Sequence, residues 1–343
     1  MRYSSALDPM IEHGGDIYGA SKRLKCLSSD IIDFSSNINP TVADIDLTLS
    51  REDFTAYADR SYSELIKSVS QKYDLHHDNI ALFNGASSAI FSLFEQLDFS
   101  EVVLYAPLYG EYKVAAQRYH KKIRLINRLD AVWEKPSCNA LVVFVNPSTP
   151  DGRLYDLEVL LKEWQQKACT VIIDESFLEF TGEKSLREKI SSYPDLYIIH
   201  SFTKFYACAG LRIGAVFSQA QNIQKLFTPM WQLSSIDVIL LLRLLNDKSH
   251  YEKSRENFLQ YMQRLRSILL QTGLFDEVYA SEANYVLVRS HRSKEIEERL
   301  LKQKIIVRNC ANFDFLDERY LRFAVKDDRA LDALEKALGV IDE

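Results

Sequence analysis

The sequence predicts an α/β fold: a large domain with a mostly parallel sheet flanked by helices, followed by a smaller α+β C-terminal domain. Three observations predict it. The middle of the chain alternates short apolar runs with helical patterns. Those runs are continuous and rich in β-branched residues rather than alternating, which is the pattern of strands covered on both faces. Beyond about residue 225 the texture changes to long helical stretches, then to short strand patterns each followed by a helix or loop.

Each element follows in order. Residues 1–40 are a glycine-containing arm expected to pack on the small domain. Residues 41–225 form the expected large domain, with strand patterns "IALF" (80–83), "VVLY" (102–105), "LVVFV" (141–145), "TVIID" (170–174), "LYIIH" (196–200) and "IGAVF" (213–217). Amphipathic stretches lie between them, such as "SSAIFSLFEQL" (87–97) and "LEVLLKEWQQKA" (157–168). Residues 226–343 form the expected small domain. It opens with the helical patterns 235–247 and 251–273, the second capped by Gly273. Strand patterns "NYVLVR" (284–289), "IIVR" (305–308) and "YLRFAV" (320–325) follow.

Composition bounds the function. The chain has 343 residues, 47% hydrophobic and 26% charged, which suits a globular protein of two domains. A net charge of −6 gives no general attraction to nucleic acid or anionic lipid. No apolar run approaches membrane-spanning length. The opening "MRYSSALDPMIEHGG" has no apolar core of an export signal. The five cysteines are odd in number and form no C-x-x-C pair, so a reducing cytoplasm is expected and a disulfide framework or thiolate metal site is not. The seven histidines show no metal-binding spacing.

In open α/β sheets ligands bind at the carboxyl ends of the strands. Five successive strand ends here carry "NGASS", "APLYGEY", "NPSTPDG", "ESFLEF" and "SFTK". Gly85, Gly110, Gly152, Gly210 and Gly214 fall in or beside these turns. "NGASS" opens a helix, and a helix start offers N–H groups to an anion. It has neither P-loop nor dinucleotide-binding spacing, and no G-x-S-x-G elbow supports Ser87 or Ser88 as a hydrolytic nucleophile. The remaining parts are the strand-end Asp174, the aromatic Tyr109, Lys204 and Arg212. A lysine amine can form a Schiff base with a carbonyl cofactor. An aspartate can keep a pyridine nitrogen protonated. A helix start and an arginine can hold a phosphate. Together these are the parts that bind pyridoxal 5′-phosphate (PLP).

With those residues in view, the chain resembles fold-type I PLP enzymes of the histidinol-phosphate aminotransferase-like group, and within it the threonine-phosphate decarboxylase branch. The resemblance spans nearly the whole chain. It rests on "HGGDIYGAS" (13–21), "DFSSNINP" (33–40), "YADRSYSEL" (57–65), "NGASSAIF" (84–91), "DESFLEF" (174–180), "SFTKFYACAGLRIG" (201–214), "ANYVLVR" (283–289) and "RNCANFDFLDERYLRFAVKDD" (308–328).

The resemblance implies that Lys204 carries the cofactor, that Asp174 pairs with its pyridine nitrogen and that Tyr109 stacks on its ring. It implies a phosphate cradle of Gly85, Ala86 and Ser87, helped by Ser201, Thr203 and Arg212. Tyr57 would reach the cofactor phosphate of a neighbouring subunit, hence a homodimer with shared sites. Arg322 would grip the substrate carboxylate, while His13, Gly14, Asn37 and Arg308 would shape the pocket around the rest of the substrate, its phosphate end above all. The implied activity is decarboxylation of an O-phosphorylated amino acid, L-threonine O-3-phosphate or L-serine O-phosphate, in cobalamin side-chain synthesis. A histidinol-phosphate-type aminotransferase is the alternative.

Two departures stand out. "STPDG" (148–152) replaces the group's "NNPTG", which puts Thr149 where an asparagine usually bonds the cofactor's phenolic oxygen. The segment "MWQLSS" (230–235) departs from the usual "PWSVN"-like run. Phe177, where aminotransferases often have tyrosine, agrees with the decarboxylase branch.

Overall fold

The computed structural model describes residues 13–342. The first twelve residues of the expected arm lie outside the described residues. In chain order the strands are β1 (Ile32–Asp33), β2 (Ile80–Phe83), β3 (Glu101–Ala106), β4 (Lys122–Asn127), β5 (Leu141–Val145), β6 (Thr170–Asp174), β7 (Leu196–Ser201), β8 (Gly214–Phe217), β9 (Glu277–Val278), β10 (Tyr285–Arg289), β11 (Ile305–Ile306), β12 (Arg308–Asn309) and β13 (Tyr320–Ala324).

Seven of them make one sheet in the order β2-β8-β7-β6-β5-β3-β4. The pairs from β4 through β7 are parallel, and β8 is antiparallel to both β7 and β2. All six apolar runs of the large domain are strands, and β2, β3, β5, β7 and β8 are buried at every residue. Their side chains alternate between two apolar layers. Val142 and Phe144 join Trp164 of helix Glu158–Gln166 on one face. Val143 and Val145 join Ile90 of helix Gly85–Gln96 and Tyr112 of helix Glu111–Arg118 on the other. Each such side chain contributes roughly 1.5–3 kcal/mol on leaving water, which explains why both faces of these strands had to be apolar.

β4 was not apparent in the sequence. It is an edge strand and largely half-exposed, with Lys122 in register with Glu101 and ion-paired to it at 2.9 Å. From this edge the chain crosses to β5, on the other side of β3. That reversal of strand order opens a crevice at the carboxyl ends of the strands.

The second sheet is antiparallel, in the order β12-β13-β10-β9. The run 305–308 proves to be two strands. Ile305–Ile306 pairs in parallel with β1, while Arg308–Asn309 pairs with β13, and the buried Val307 marks the change of partner. Residues after β1 are stitched to this region: Phe34 N–H donates to Ile306 O and Phe34 O accepts from Ala324 N–H, both at 2.8 Å. Helices Ser235–Asn246 and Lys248–Gln271 connect the two sheets in sequence, and Gly273 after the second has φ +66°. Among the described residues no helix is long and apolar enough to cross a membrane.

Candidate active site

The crevice holds a cavity of about 260 Å³ lined by side chains from both sheets and from the arm. Its floor is the end of β6. Asp174 is buried, and its carboxylate is held on both oxygens: Oδ1 accepts from Ser176 N–H at 3.0 Å and Ser176 Oγ at 2.5 Å, and Oδ2 accepts from Tyr112 OH at 2.9 Å. Burial nevertheless raises the Asp174 pKa, with those hydrogen bonds and Lys204 opposing it.

Lys204 sits on the short helix Phe202–Phe205 after β7. The arm braces this helix: Asn39 N–H donates to Lys204 O at 3.0 Å and Asn39 Nδ2 to Phe205 O at 2.7 Å. Burial, then the Arg322 and Arg212 guanidiniums, depress the Lys204 ammonium to about 8, with Asp174 acting in the opposite sense. A lysine so tuned is largely neutral at a pH where an ordinary lysine is almost wholly protonated, and a neutral amine is what attacks a carbonyl.

The β2 end supplies an anion cradle. Asn84 precedes helix Gly85–Gln96 without capping it, and its Nδ2 donates instead to Gln232 O at 3.1 Å. The first N–H groups of a helix have no intrahelical acceptor, and Ala86 and Ser87 of this first turn line the cavity. Gly85 has φ +79°, and a Cβ there would stand 2.9 Å from Arg212 Nη2. Glycine is required where backbone and guanidinium approach this closely. Ser87 Oγ and Tyr109 OH share a hydrogen bond of 3.3 Å, and Ser201 Oγ and Thr203 Oγ1 one of 2.8 Å. Burial raises the Tyr109 pKa.

The small sheet closes the other side. Arg308 on β12 and Arg322 on β13 are direct cross-strand partners, and both are buried. Arg322 lies over the Tyr285 ring with its guanidinium carbon 4.9 Å from the centroid. It donates through Nη1 to Thr149 Oγ1 at 3.0 Å and through Nη2 to Ser35 O at 3.1 Å, while its buried Nε has no partner. Arg308 donates to Asn309 O and to Asn312 Oδ1, both at 2.6 Å. Burial depresses Arg308 to about 10, and Arg322 adds to the effect.

His13 stands at the mouth, with its ring centroid 5.7 Å from that of Tyr109 and Nε2 3.1 Å from Glu111 Oε1. Gly14 passes against Ser35, where a Cβ would fall 2.1 Å from the carbonyl oxygen. Asn37 is buried with its Oδ1 unpaired. Tyr57 does not reach the cavity. It is 80% exposed and stacks on Trp231, ring centroids 4.7 Å apart. Gly85, a residue expected in the phosphate cradle, does not itself line the cavity, although its neighbour Ala86 does. The other residues to which the resemblance gives a role line the cavity: His13, Gly14, Asn37, Ala86, Ser87, Tyr109, Thr149, Asp174, Ser201, Thr203, Lys204, Arg212, Arg308 and Arg322; Ser88, Gly152, Gly210 and Gly214 do not.

Sequence reasoning missed Tyr112, Ser176 and Ser35, and it missed Lys113, Asn312 and Asp314 on the cavity wall. Only Ser176 carried a local signal, two positions after a strand-end aspartate, where a hydroxyl can turn back on the carboxylate.

The donor set fits a phosphorylated pyridine aldehyde. It combines an uncapped helix start and a guanidinium for the phosphate, a buried carboxylate for the ring nitrogen, a tyrosine on the wall and a half-buried lysine with a depressed pKa. Comparison with known proteins agrees. The chain belongs to the aminotransferase class I and II family, whose sequence model matches residues 29–338. It is an enzyme of that PLP-dependent class, and PLP is its cofactor.

The chain is 33% identical over 342 residues to the adenosylcobalamin biosynthesis bifunctional protein CobDQ of Leptospira interrogans, covering 92% of this chain and 39% of that protein. It therefore spans well under half the length of that relative. It is 26% identical over 355 residues to the threonine-phosphate decarboxylase of Salmonella typhimurium, covering 95% of this chain and 96% of that protein. Among solved structures it matches the histidinol-phosphate aminotransferase from Clostridium acetobutylicum at a TM-score of 0.79 and 27% identity, covering 91% of this chain and 99% of that one.

Proposed function

We propose that this chain decarboxylates an O-phosphorylated amino acid, L-threonine O-3-phosphate or L-serine O-phosphate, to the aminoalkyl phosphate that serves as a cobamide nucleotide-loop linker. The observation that carries the reading is the cross-strand pairing of Arg308 with Arg322 inside the cavity. Like charges directly opposite each other destabilise a sheet, and Arg322 makes no ion pair with any described residue. A substrate carboxylate would give Arg322 the anionic partner it lacks among the described residues, and a guanidinium fork such as that of Arg308 matches a phosphate equally well. The similarity to the Salmonella decarboxylase along nearly the full length of both chains supports the same reading.

In this reading Arg322 grips the α-carboxylate, held in place by Thr149, Ser35 and the Tyr285 face. Arg308 meets the phosphate, with His13, Gly14 and Asn37 shaping that end of the pocket. Gly85, Ala86, Ser87, Ser201, Thr203 and Arg212 cradle the cofactor's phosphate, Tyr109 stacks on its ring and Asp174 faces the ring nitrogen. When bound, PLP supplies an electron sink for the pair left as a bond to the substrate's α-carbon breaks. The protein would choose the bond by orientation: Arg322, fixed by Thr149 and Ser35, would hold the substrate's carboxylate so that the carbon–carboxylate bond is the one aligned for cleavage. Lys204 Nζ then returns a proton to the α-carbon as general acid.

The enzyme works as a cytoplasmic homodimer in this account. Tyr57, exposed and remote from its own cavity, reaches the cofactor phosphate of the second subunit. The cysteines, all free among the described residues, suit a reducing compartment.

The test is product analysis. The purified enzyme with PLP is given each phosphoamino acid without any oxo-acid acceptor. Aminopropyl or aminoethyl phosphate and CO₂ in equal amounts support the reading. Turnover of histidinol phosphate that requires 2-oxoglutarate would establish the aminotransferase reading instead, which the match to the Clostridium structure favours.

A further inference from the structure

Lys113 is the cavity cation that no role above uses. It lies on helix Glu111–Arg118, one residue past the Tyr112 that braces Asp174, and its side chain is 38% exposed on the cavity wall. Its ammonium is ion-paired with Asp314, which also lines the cavity and is less exposed at 24%. Asp314 belongs to the turn that follows β12, where Phe313 N–H donates to Cys310 O at 3.0 Å. The same turn carries Asn312, whose Oδ1 accepts from Arg308 Nη2, and Phe313, whose ring centre lies 5.2 Å from the Arg308 guanidinium carbon. One short loop thus contacts both Lys113 and Arg308, and all of these residues line the cavity.

We propose that Lys113 is a specificity-determining residue that binds the substrate's phosphate together with Arg308, and that Asp314 is the counter-ion it gives up when substrate enters. The proposal rests on the reading that the substrate is phosphorylated. Charge matching is the argument. The proposed substrate carries a carboxylate and a phosphate that is close to dianionic at neutral pH. Arg322 answers the carboxylate and Arg212 belongs to the cofactor's phosphate. A single guanidinium such as that of Arg308 matches one charge of a dianion, and Lys113 is, among the described residues, the lining Lys or Arg with no role so far. An ammonium on a flexible stem can swing from a carboxylate to a phosphate with little change elsewhere, as a compact point charge with three donors. Asp314 holds it at the mouth meanwhile, so that the charge meets incoming anions there.

The competing account is a latch, in which the Lys113–Asp314 pair merely ties the helix to the loop. The two accounts differ for the partner residue. The experiment uses the PLP-loaded enzyme and its K113Q, K113R and D314N variants. It measures KM and kcat for O-phospho-L-threonine and the inhibition constant of inorganic phosphate. The cofactor's own phosphate site is already filled in the holoenzyme, so inorganic phosphate reports the substrate's subsite. K113Q is expected to raise both KM and the phosphate inhibition constant about tenfold or more, the scale of a lost charge-assisted hydrogen bond, with a smaller change in kcat. K113R should restore most of the loss. D314N, which breaks the same pair but keeps the cation, should leave KM unraised or lower it. Equal rises in KM for K113Q and D314N, or no rise for K113Q, would overturn the proposal. If the wild-type enzyme releases no CO₂ from any phosphoamino acid, the decarboxylase reading fails by itself. Direct calorimetric binding of inorganic phosphate to the holoenzyme then decides the role of Lys113: weaker binding in K113Q but not in D314N supports it, and equal binding in all variants contradicts it.

Discussion

Arg322 Nη1 donates to Thr149 Oγ1 at 3.0 Å, a bond that joins the small sheet to the turn after β5. The hydroxyl that accepts this bond keeps its own proton to donate. Thr149, which stands where the resembling group has an asparagine, therefore faces both Arg322 and the cavity.

Thr149→Val should expose this dependence. It leaves a buried guanidinium N–H without its acceptor, at a cost of about 1–3 kcal/mol. We expect KM for the phosphoamino acid to rise tenfold or more, with Thr149→Ser close to wild type. Steady-state CO₂ release measures both. Equal KM values in Thr149→Val and wild type would remove Thr149 from the account.

Burial pushes the Asp174 pKa up, and the hydrogen bonds from Ser176 and Tyr112 oppose that shift. Losing the Tyr112 donor raises that pKa further and weakens the charge offered to the ring nitrogen. Tyr112→Phe keeps the ring in its apolar layer and removes only the hydroxyl. Its apparent Kd for PLP should rise about tenfold, the scale of one hydrogen bond to a charged group. Absorbance titration of the apo-protein with PLP reads it, and an unchanged Kd would contradict the prediction.

The Lys204 amine titrates at about 8. Only the neutral amine attacks the cofactor's aldehyde, so its reactive fraction grows as pH rises through that value. The rate at which apo-protein takes up PLP, followed by the visible absorbance of the bound form, should climb to half its maximum near pH 8 and then level. A rate still climbing at pH 10 would show an ordinary lysine.

Arg128 and Asp151 form a buried pair at 2.7 and 2.9 Å, and Arg128 also donates to Pro107 O and Thr149 O. The pair ties the turn after β3 to the turn that carries Thr149. Removing one member of a buried pair costs about 3–5 kcal/mol, because the other charge is left uncompensated. Asp151→Asn should lower Tm by about 5–10 °C. Calorimetry measures it, and an unchanged Tm would show that the pair is not structural.

The strands, and the convergence of their turns on one cavity, were legible because each is written locally. β3, β5 and β7 are covered on both faces and so read as unbroken apolar runs, and Lys204, Asp174 and the Gly85 turn each follow such a run directly. β4 was hidden because an edge strand with Lys122 and Arg124 needs no apolar face toward solvent. The split of 305–308 between two sheets depends on which strands lie alongside, and no window of sequence contains that. The same holds for Tyr112, whose partner Asp174 is 62 residues away, and for Ser35, whose partner Arg322 is 287 residues away. Tyr57 was legible as a motif, but the structure places it outside the cavity of its own chain, exposed and stacked on Trp231.

Decarboxylation and amino transfer differ in which bond to the α-carbon breaks. The most direct measurement uses O-phospho-L-threonine carrying deuterium at the α-carbon, turned over by the holoenzyme in ordinary water. If the carboxylate is the group held perpendicular to the ring, the aminopropyl phosphate product retains the deuterium and gains one proton from solvent, with one CO₂ released per turnover. Loss of the deuterium to water, with an oxo acid formed and no CO₂, would contradict it.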